Sequence, residues 1–382
     1  MMFQLNELQE QVRTRASALA ADMIAPRASD FERDHDIPRE VIEALGSAGM
    51  LGVNIETEYG GLGAGVVSYA AAMREIAKAD GSVAVTMAVT NMVGEVLQAY
   101  GTKEQRERHI PELTSGRYFG GAFALSEPGA GSDAGGMTTR AVRDGDDWVI
   151  NGEKLWITTG DRAGVVVVWA RTGGPGPKGI SCFLVDGDAA GMTSGKPEEK
   201  MGLRGSHTVS LSLEDVRVPA SAMLGDEGEG FSIAMMALDG GRIGIASQAV
   251  GLGMRALDEA LKAALHAPAG SLGGDEQQAN QFTLADMATE LDAAWLLALR
   301  AASMKESGGL FSRQAAMAKV YASEAANRAV RNSAQVLGGE GMLNSPVVTR
   351  LFRDARVTQI YEGTSEIQRV VISRSLLAEA AR

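Results

Sequence analysis

A chain of 382 residues is long enough for two or three packed units rather than one. Its 48 acidic against 36 basic residues leave a formal charge of −12, which excludes a broad basic nucleic-acid face. That balance still allows a phosphate to be held by a few local cations and helix N-termini. The single cysteine, Cys182, rules out an intrachain disulfide and a thiolate metal cluster. The four histidines (His35, His109, His207 and His266) show no i,i+4 pair, so no metal site is expected. No apolar run approaches the ~20 residues of a membrane span, and the opening residues lack a basic-then-apolar leader. A cytoplasmic protein is the expectation.

Residues 1–118 read as helical. Leu5, Leu8, Val12, Ala16 and Leu19 fall at helical spacing, and Ala25-Pro26 is expected to end that helix. Ile37-Pro38 leads into Val41, Ile42 and Leu45, with Gly46 and Gly49 as the stop. A glycine-rich loop over residues 60–65 precedes an apolar helix at 66–79. Thr102-Lys103-Glu104-Gln105 has the form of a capped helix start.

From residue 119 to 230 the signals change to strands. Trp148-Val149-Ile150 follows a Gly145-Asp146 turn, residues 165–169 and 180–185 are β-branched-rich, and Val209, Leu211 and Leu213 alternate with polar neighbours. With no helices between them, an antiparallel sheet or small barrel is expected. A loop at 225–230 then returns the chain to helices at 231–264, 279–306, 313–337 and 365–380. Phe282, Ala285, Ala288, Leu291, Trp295, Leu299 and Ala302 give one of them the stripe of a bundle helix. Residues 267–274 interrupt that bundle as a Gly/Ala-rich loop. Gly251-Leu252-Gly253-Met254-Arg255-Ala256 matches a dinucleotide-binding pattern. Its flanks read as continuous helix rather than strand–turn–helix, so small residues for helix packing explain it better.

Three segments stand apart from this framework. Ser126-Glu127-Pro128-Gly129-Ala130-Gly131-Ser132-Asp133 follows a strand and forces a tight turn of exposed amides and hydroxyls. Trp156-Ile157-Thr158 puts an aromatic face and a hydroxyl on one side of a strand, suited to a flat heteroaromatic ring. Tyr361-Glu362-Gly363-Thr364-Ser365 places a glutamate between an aromatic and a glycine, just before the last helix, where Thr364 or Ser365 can cap. A carboxylate held against apolar surface gains proton affinity and becomes a competent base. Singly, each segment is also explained as a loop, a sheet core or a solvated turn acid.

Together, and in this order, the three segments resemble the acyl-CoA dehydrogenase family, its short-chain members most closely. Glu58-Tyr59-Gly60-Gly61-Leu62-Gly63, Leu238-Asp239-Gly240-Gly241-Arg242 and Arg353-Asp354-Ala355-Arg356 extend the likeness over nearly the whole chain. The resemblance implies an N-terminal helical domain (1–118), a middle antiparallel β-barrel-like domain (119–230) and a C-terminal four-helix bundle (231–382). It implies FAD as cofactor, an acyl-CoA thioester as substrate, an electron-transferring flavoprotein as acceptor, and a homotetramer. By the same likeness Phe123, Leu125, Ser126, Gly131, Ser132, Trp156, Ile157 and Thr158 line the flavin. Gln278, Gln335, Val336, Leu337, Gly338, Gly339, Thr364 and Glu366 are further FAD contacts, those at 335–339 from a neighbouring subunit. Ser132, Asp239, Arg242 and Gly363 would touch substrate.

Glu362 is by resemblance the base that takes the α-proton, while flavin N5 takes the β-hydride to give a trans-2-enoyl thioester. One departure stands out: Ala267, Gly270 and Ser271 occupy the positions of the family's Arg-x-x-Phe-Gly loop, which removes an arginine aimed at the FAD pyrophosphate. Glu56 stands where a loop proline is common. An acyl-thioester oxidase, a carrier-protein-linked dehydrogenase and a non-catalytic acyl-CoA-binding subunit are the other readings these residues allow.

Overall fold

In the computed structural model, which describes residues 4–266, 274–343 and 346–381, the first helix begins at a reciprocal cap. Asn6 accepts from the Gln9 amide while its own amide donates to the Gln9 side chain, both at 2.9 Å. Helices α1 (Glu7–Leu19), α2 (Ala28–Asp34) and α3 (Arg39–Ser47) follow, then α4 (Gly65–Ala79), α5 (Gly81–Tyr100) and α6 (Lys103–Thr114). Pro26 does not end the first helix outright. One π-turn over Ala20–Ile24 and one 3-10 turn over Ala25–Arg27 carry the chain on into α2, because a proline early in a new turn forfeits no needed hydrogen bond. The Thr102 cap is present, completed by Gln105. Asp80 caps α5 by accepting from the amides of Ser82 and Val83.

Eight strands follow: β1 (Gly121–Ala124), β2 (Arg140–Asp144), β3 (Asp147–Thr158), β4 (Val165–Arg171), β5 (Ile180–Asp186), β6 (Met192–Ser194), β7 (Thr208–Pro219) and β8 (Met223–Leu224). Their order is β6-β7-β3-β2-β4-β5-β8, with β1 beside β4. Most pairs are antiparallel as expected, but β1 runs parallel to β4, and Arg140 of β2 meets Arg171 of β4 in parallel. The β2–β3 hairpin lies between β1 and β4 in the sequence and supplies the crossover that a helix usually makes.

The run of four valines in β4 has a physical cause. Val166 and Val168 face the interior of the β domain with Ile150, Phe183 and Leu211. Val165, Val167 and Trp169 face the helical side with Val93 and Ile233. A strand buried on both faces cannot alternate.

The C-terminal part holds α7 (Gly230–His266), α8 (Gly274–Glu306), α9 (Ser312–Leu337), α10 (Gly339–Leu343), α11 (Pro346–Val357) and α12 (Ser365–Ala380). Mixed α/β architecture with helices at both ends of the chain is therefore observed. Helices α10 and α11 went unread in the sequence. Strand β4 and the start of α7 are clasped together, since Trp169 Nε1 donates to the Gly230 carbonyl at 2.7 Å. Among the described residues no helix is long and apolar enough to cross a membrane.

The Gly251/Gly253 pattern lies inside the unbroken α7. A Cβ at Gly251 would strike the Arg74 carbonyl and stand 2.8 Å from Ala77 Cβ, and one at Gly253 would strike Leu291. These glycines let α4, α8 and α9 approach α7. Gly251→Ala is therefore expected to destabilise the fold by about 1–3 kcal/mol, read as a lower urea midpoint with unchanged m-value.

Candidate active site

The loop after α11 turns back on itself before α12, and several of its polar groups are pinned. Ser365 N–H donates to the Gln359 carbonyl at 2.9 Å, and Thr364 caps α12 by accepting from Ile367 N–H. The Tyr361 hydroxyl donates to Gln248, which in turn holds the Gly81 carbonyl. Lys319 Nζ donates to the Gly363 carbonyl at 2.7 Å, and Gln368 Nε2 donates to the same carbonyl at 2.8 Å.

That pinning over-determines an unfavourable backbone. Glu362 sits at φ 51 and Gly363 at φ 87. A non-glycine residue there is strained and persists only where its surroundings hold it.

The Glu362 side chain lies over Gly241 of α7, where any Cβ would collide with Oε2. Oε2 is shielded from solvent and has no hydrogen-bond partner among the described residues. Burial pushes the carboxyl up to about 7, against the pull of Lys319 and Arg242 and with Glu95 adding to the rise. Burial also lowers the Lys319 ammonium to about 8, with the Glu362 carboxylate opposing. The Glu362 amide N–H likewise makes no hydrogen bond to the described residues. A half-neutral carboxyl beside a free amide donor can accept a proton while an adjacent oxygen is polarised.

Arg242, buried, pairs with Asp239 on the same helix, and Ser312 Oγ also donates to Asp239 at 3.0 Å. The expected Asp239–Arg242 turn and the Glu362–Gly363 loop thus come together. So do the two β-domain segments: Leu155 N–H donates to the Ser126 carbonyl at 2.9 Å. Phe123, half-buried, packs 4.2 Å from the Trp169 ring, and Leu125 is buried. Gly131 and Ser132 are exposed.

Trp156 stands at φ 63 on a bulge of β3, 60% exposed, while Ile157 is buried and Thr158 half-buried. The bulge turns the indole outward and leaves its face free.

Sequence reading missed what holds this loop. Glu127, 4% exposed, accepts from Lys154 Nζ at 2.9 Å and from Thr138 and Thr139. Burial opposes its charge, yet Lys154 and those donors hold it down at about 2. Burial lowers Lys154 itself to about 8. An acid inside a Glu-Pro-Gly turn and a lysine inside an apolar strand, 27 residues apart, were the available signal.

The other expected contacts lie elsewhere. Gln335, Val336, Leu337, Gly338 and Gly339 end α9 and begin α10, sixteen residues past Lys319, roughly 24 Å along a helix. Gln278, exposed, is near the start of α8, at the same end of the bundle as Val336 and Leu337. Neither reaches Glu362 within one chain. The departures at Ala267, Gly270 and Ser271, and most of the 267–274 loop, fall outside the described residues.

Residues 6–117, 122–216 and 228–377 match the N-terminal, middle and C-terminal domains of acyl-CoA dehydrogenase. The chain is 44% identical over 377 residues to the short-chain specific acyl-CoA dehydrogenase of Bos taurus mitochondria, covering 98% of this chain and 91% of that one. The structure of butyryl-CoA dehydrogenase from Megasphaera elsdenii is similar, with a TM-score of 0.94, 39% identity and coverage of 99% of this chain and 100% of that one. A chain from a study of the electron-transferring flavoprotein of Acidaminococcus fermentans matches at TM-score 0.95 and 39% identity, with the same coverage. The protein belongs to the acyl-CoA dehydrogenase family and is an FAD-dependent oxidoreductase of that class.

The residues present fit the cofactor. Trp156 offers a free aromatic face, and the cleft beside Thr364, Ser365 and Glu366 lies at the N-terminus of the 16-residue α12. Ser365 Oγ there is buried without a partner among the described residues. A polar ligand group is what such an oxygen lacks.

Gly241→Ala is expected to leave folding and bound flavin intact while lowering kcat with an acyl-CoA at least about 100-fold, because the added methyl evicts Glu362 from its place. Retained turnover with an unshifted melting temperature would separate the base from this contact.

Proposed function

We propose that the chain carries out α,β-dehydrogenation of a short acyl-CoA thioester to the trans-2-enoyl thioester, with Glu362 as the α-proton base. The observation that supports this most is the Glu362 carboxylate itself: dehydrated, unpaired at Oε2, and raised to about 7. The thioester oxygen accepts from the free Glu362 N–H, which acidifies the α C–H. Glu362 then takes that proton. FAD, when bound, supplies the acceptor for the β-hydride.

Lys319 and Gln368 keep the Gly363 carbonyl fixed, so the amide and carboxylate of Glu362 stay directed at one substrate. Phe123, Ser126, Trp156 and Thr158 line the flavin ring in this reading, Ser132 and Arg242 lie toward the CoA arm, and Thr364 and Glu366 hold the far end of FAD. An electron-transferring flavoprotein is the acceptor, in line with the Acidaminococcus fermentans likeness. In a homotetramer, Gln278 and residues 335–339, the latter roughly 24 Å along α9 from Lys319, serve a neighbouring subunit's cofactor.

Anaerobic titration with butyryl-CoA, following flavin absorbance, tests this. The wild-type flavin bleaches, whereas Glu362→Gln keeps its flavin and fails to bleach. Normal bleaching in that variant would move the base elsewhere. For the free enzyme, kcat/KM should rise through about pH 7 as Glu362 loses its proton.

The same shift has a stability consequence. A carboxyl whose folded pKa exceeds its unfolded one binds more protons when folded, so its penalty is absent below the unfolded value and full above the folded one. Glu362→Gln should raise the unfolding free energy by about 1–3 kcal/mol at pH 8 and little at pH 4. Equal effects at both pH values would contradict a dehydrated carboxyl.

A further inference from the structure

Beside the base, α7 carries a second glycine whose missing side chain is filled by charge. A Cβ on Gly240 would stand 2.5 Å from Lys305 Nζ and 3.2 Å from Glu95 Oε2. Lys305 of α8 and Glu95 of α5 form a two-pronged ion pair, both N···O distances 2.8 Å, with the side chains only 17% and 16% exposed. Asn54 donates its Nδ2 to Glu95, and its Oδ1 is buried with no partner among the described residues.

The Tyr69 hydroxyl, 2.5 Å from a Cβ on Gly244, feels the charge of both Glu362 and Glu95. It makes no hydrogen bond to the described residues. Base, ion pair and free hydroxyl therefore lie side by side against one stretch of α7, at Gly241, Gly240 and Gly244. Gly240 and Gly241 are ~3.8 Å apart at their Cα atoms, so an acyl chain with its α-carbon at Glu362 meets the ion pair within a few carbon–carbon bonds.

What lies at that end decides what can fill it. An alkyl terminus would strip water from a carboxylate, an ammonium and an amide oxygen without replacing a single hydrogen bond. A hydroxyl both donates and accepts, and can satisfy the Asn54 oxygen or the carboxylate together with the remaining Lys305 N–H. The pair is neutral overall, so a charged terminus finds no unopposed partner.

We propose that Glu95, Lys305 and Asn54 form the distal end of the acyl site and select a short acyl thioester carrying a terminal hydroxyl. This rests on Glu362 being the base, which fixes where the α-carbon lies.

The test compares 4-hydroxybutyryl-CoA with valeryl-CoA, the same length with methyl in place of hydroxyl, by anaerobic rapid-mixing of the flavin-loaded enzyme. The hydroxy thioester should bleach the wild-type flavin with a reduction rate over apparent Kd about tenfold or more above valeryl-CoA, as a site built for a hydroxyl discriminates. The double variant Glu95→Leu, Lys305→Met should erase or reverse that ratio. If it yields no flavin-loaded protein, Asn54→Leu is read the same way and should narrow the ratio.

Valeryl-CoA equal to or better than its hydroxy analogue in the wild type overturns the selection and leaves the dehydrogenase reading standing. A ratio unchanged by the substitutions overturns the assignment to these residues. Failure of every saturated thioester, butyryl-CoA included, to bleach bound flavin defeats the base reading and this inference with it.

Discussion

One carboxylate that has given up water without gaining a hydrogen bond sets the terms for the site. Leaving Glu362 Oε2 dry and unpaired costs stability, as does holding the residue in the left-handed region. Both costs are met by the contacts around it: the Lys319 and Gln368 bonds to the Gly363 carbonyl, the Tyr361–Gln248 link and the Thr364 cap. These contacts come from α7, α9 and α12, so Glu362 is held by the packed helices and not by its own loop. The rise to about 7 is the chemical product of that arrangement.

The β domain solves the matching problem from the other side. Its exposed Ser126–Ser132 turn would be mobile if only glycines and a proline shaped it. The Glu127–Lys154 pair, both side chains almost fully buried, anchors it to β3. Such a pair is weak evidence for net stability, since desolvation offsets much of its attraction. Its geometric effect is clear: four donors converge on one carboxylate and fix where the turn leaves the strand. Trp169 then ties the neighbouring strand to the start of α7.

Much of this was legible from residues alone. Helical spacing in the first and last thirds, strand runs in the middle, the Thr102 cap and the helical context of Gly251 all follow from local pattern. The parallel β1–β4 pairing did not, because strand partners are chosen by sheet closure and not by the strands' own composition. Helix α11 was overlooked although Pro346 at its first position and Leu351 and Ala355 four apart carry the signal; the buried Arg350 and Asp354 obscured the apolar stripe. At the site, the motif strings led to Glu362, Trp156 and Thr364. Glu127 carried a signal in its Glu-Pro-Gly turn, but its partner Lys154 is 27 residues away; Lys319, Gln368 and Glu95 were invisible because nothing in their own neighbourhoods distinguishes them and only packing brings them to the site.

The Gly240-Gly241 step on α7 has an evolutionary corollary. Two absent side chains, one after the other on a single helix, make room respectively for the Glu95–Lys305 pair and for the Glu362 carboxyl. A mutation that rotates or shifts that turn of helix moves both lodgings at once. In the proposed reaction, reactivity and acyl preference are therefore mechanically coupled, and divergence toward other thioesters has its freest path through α5 and α8, which carry Glu95 and Lys305 but not Glu362.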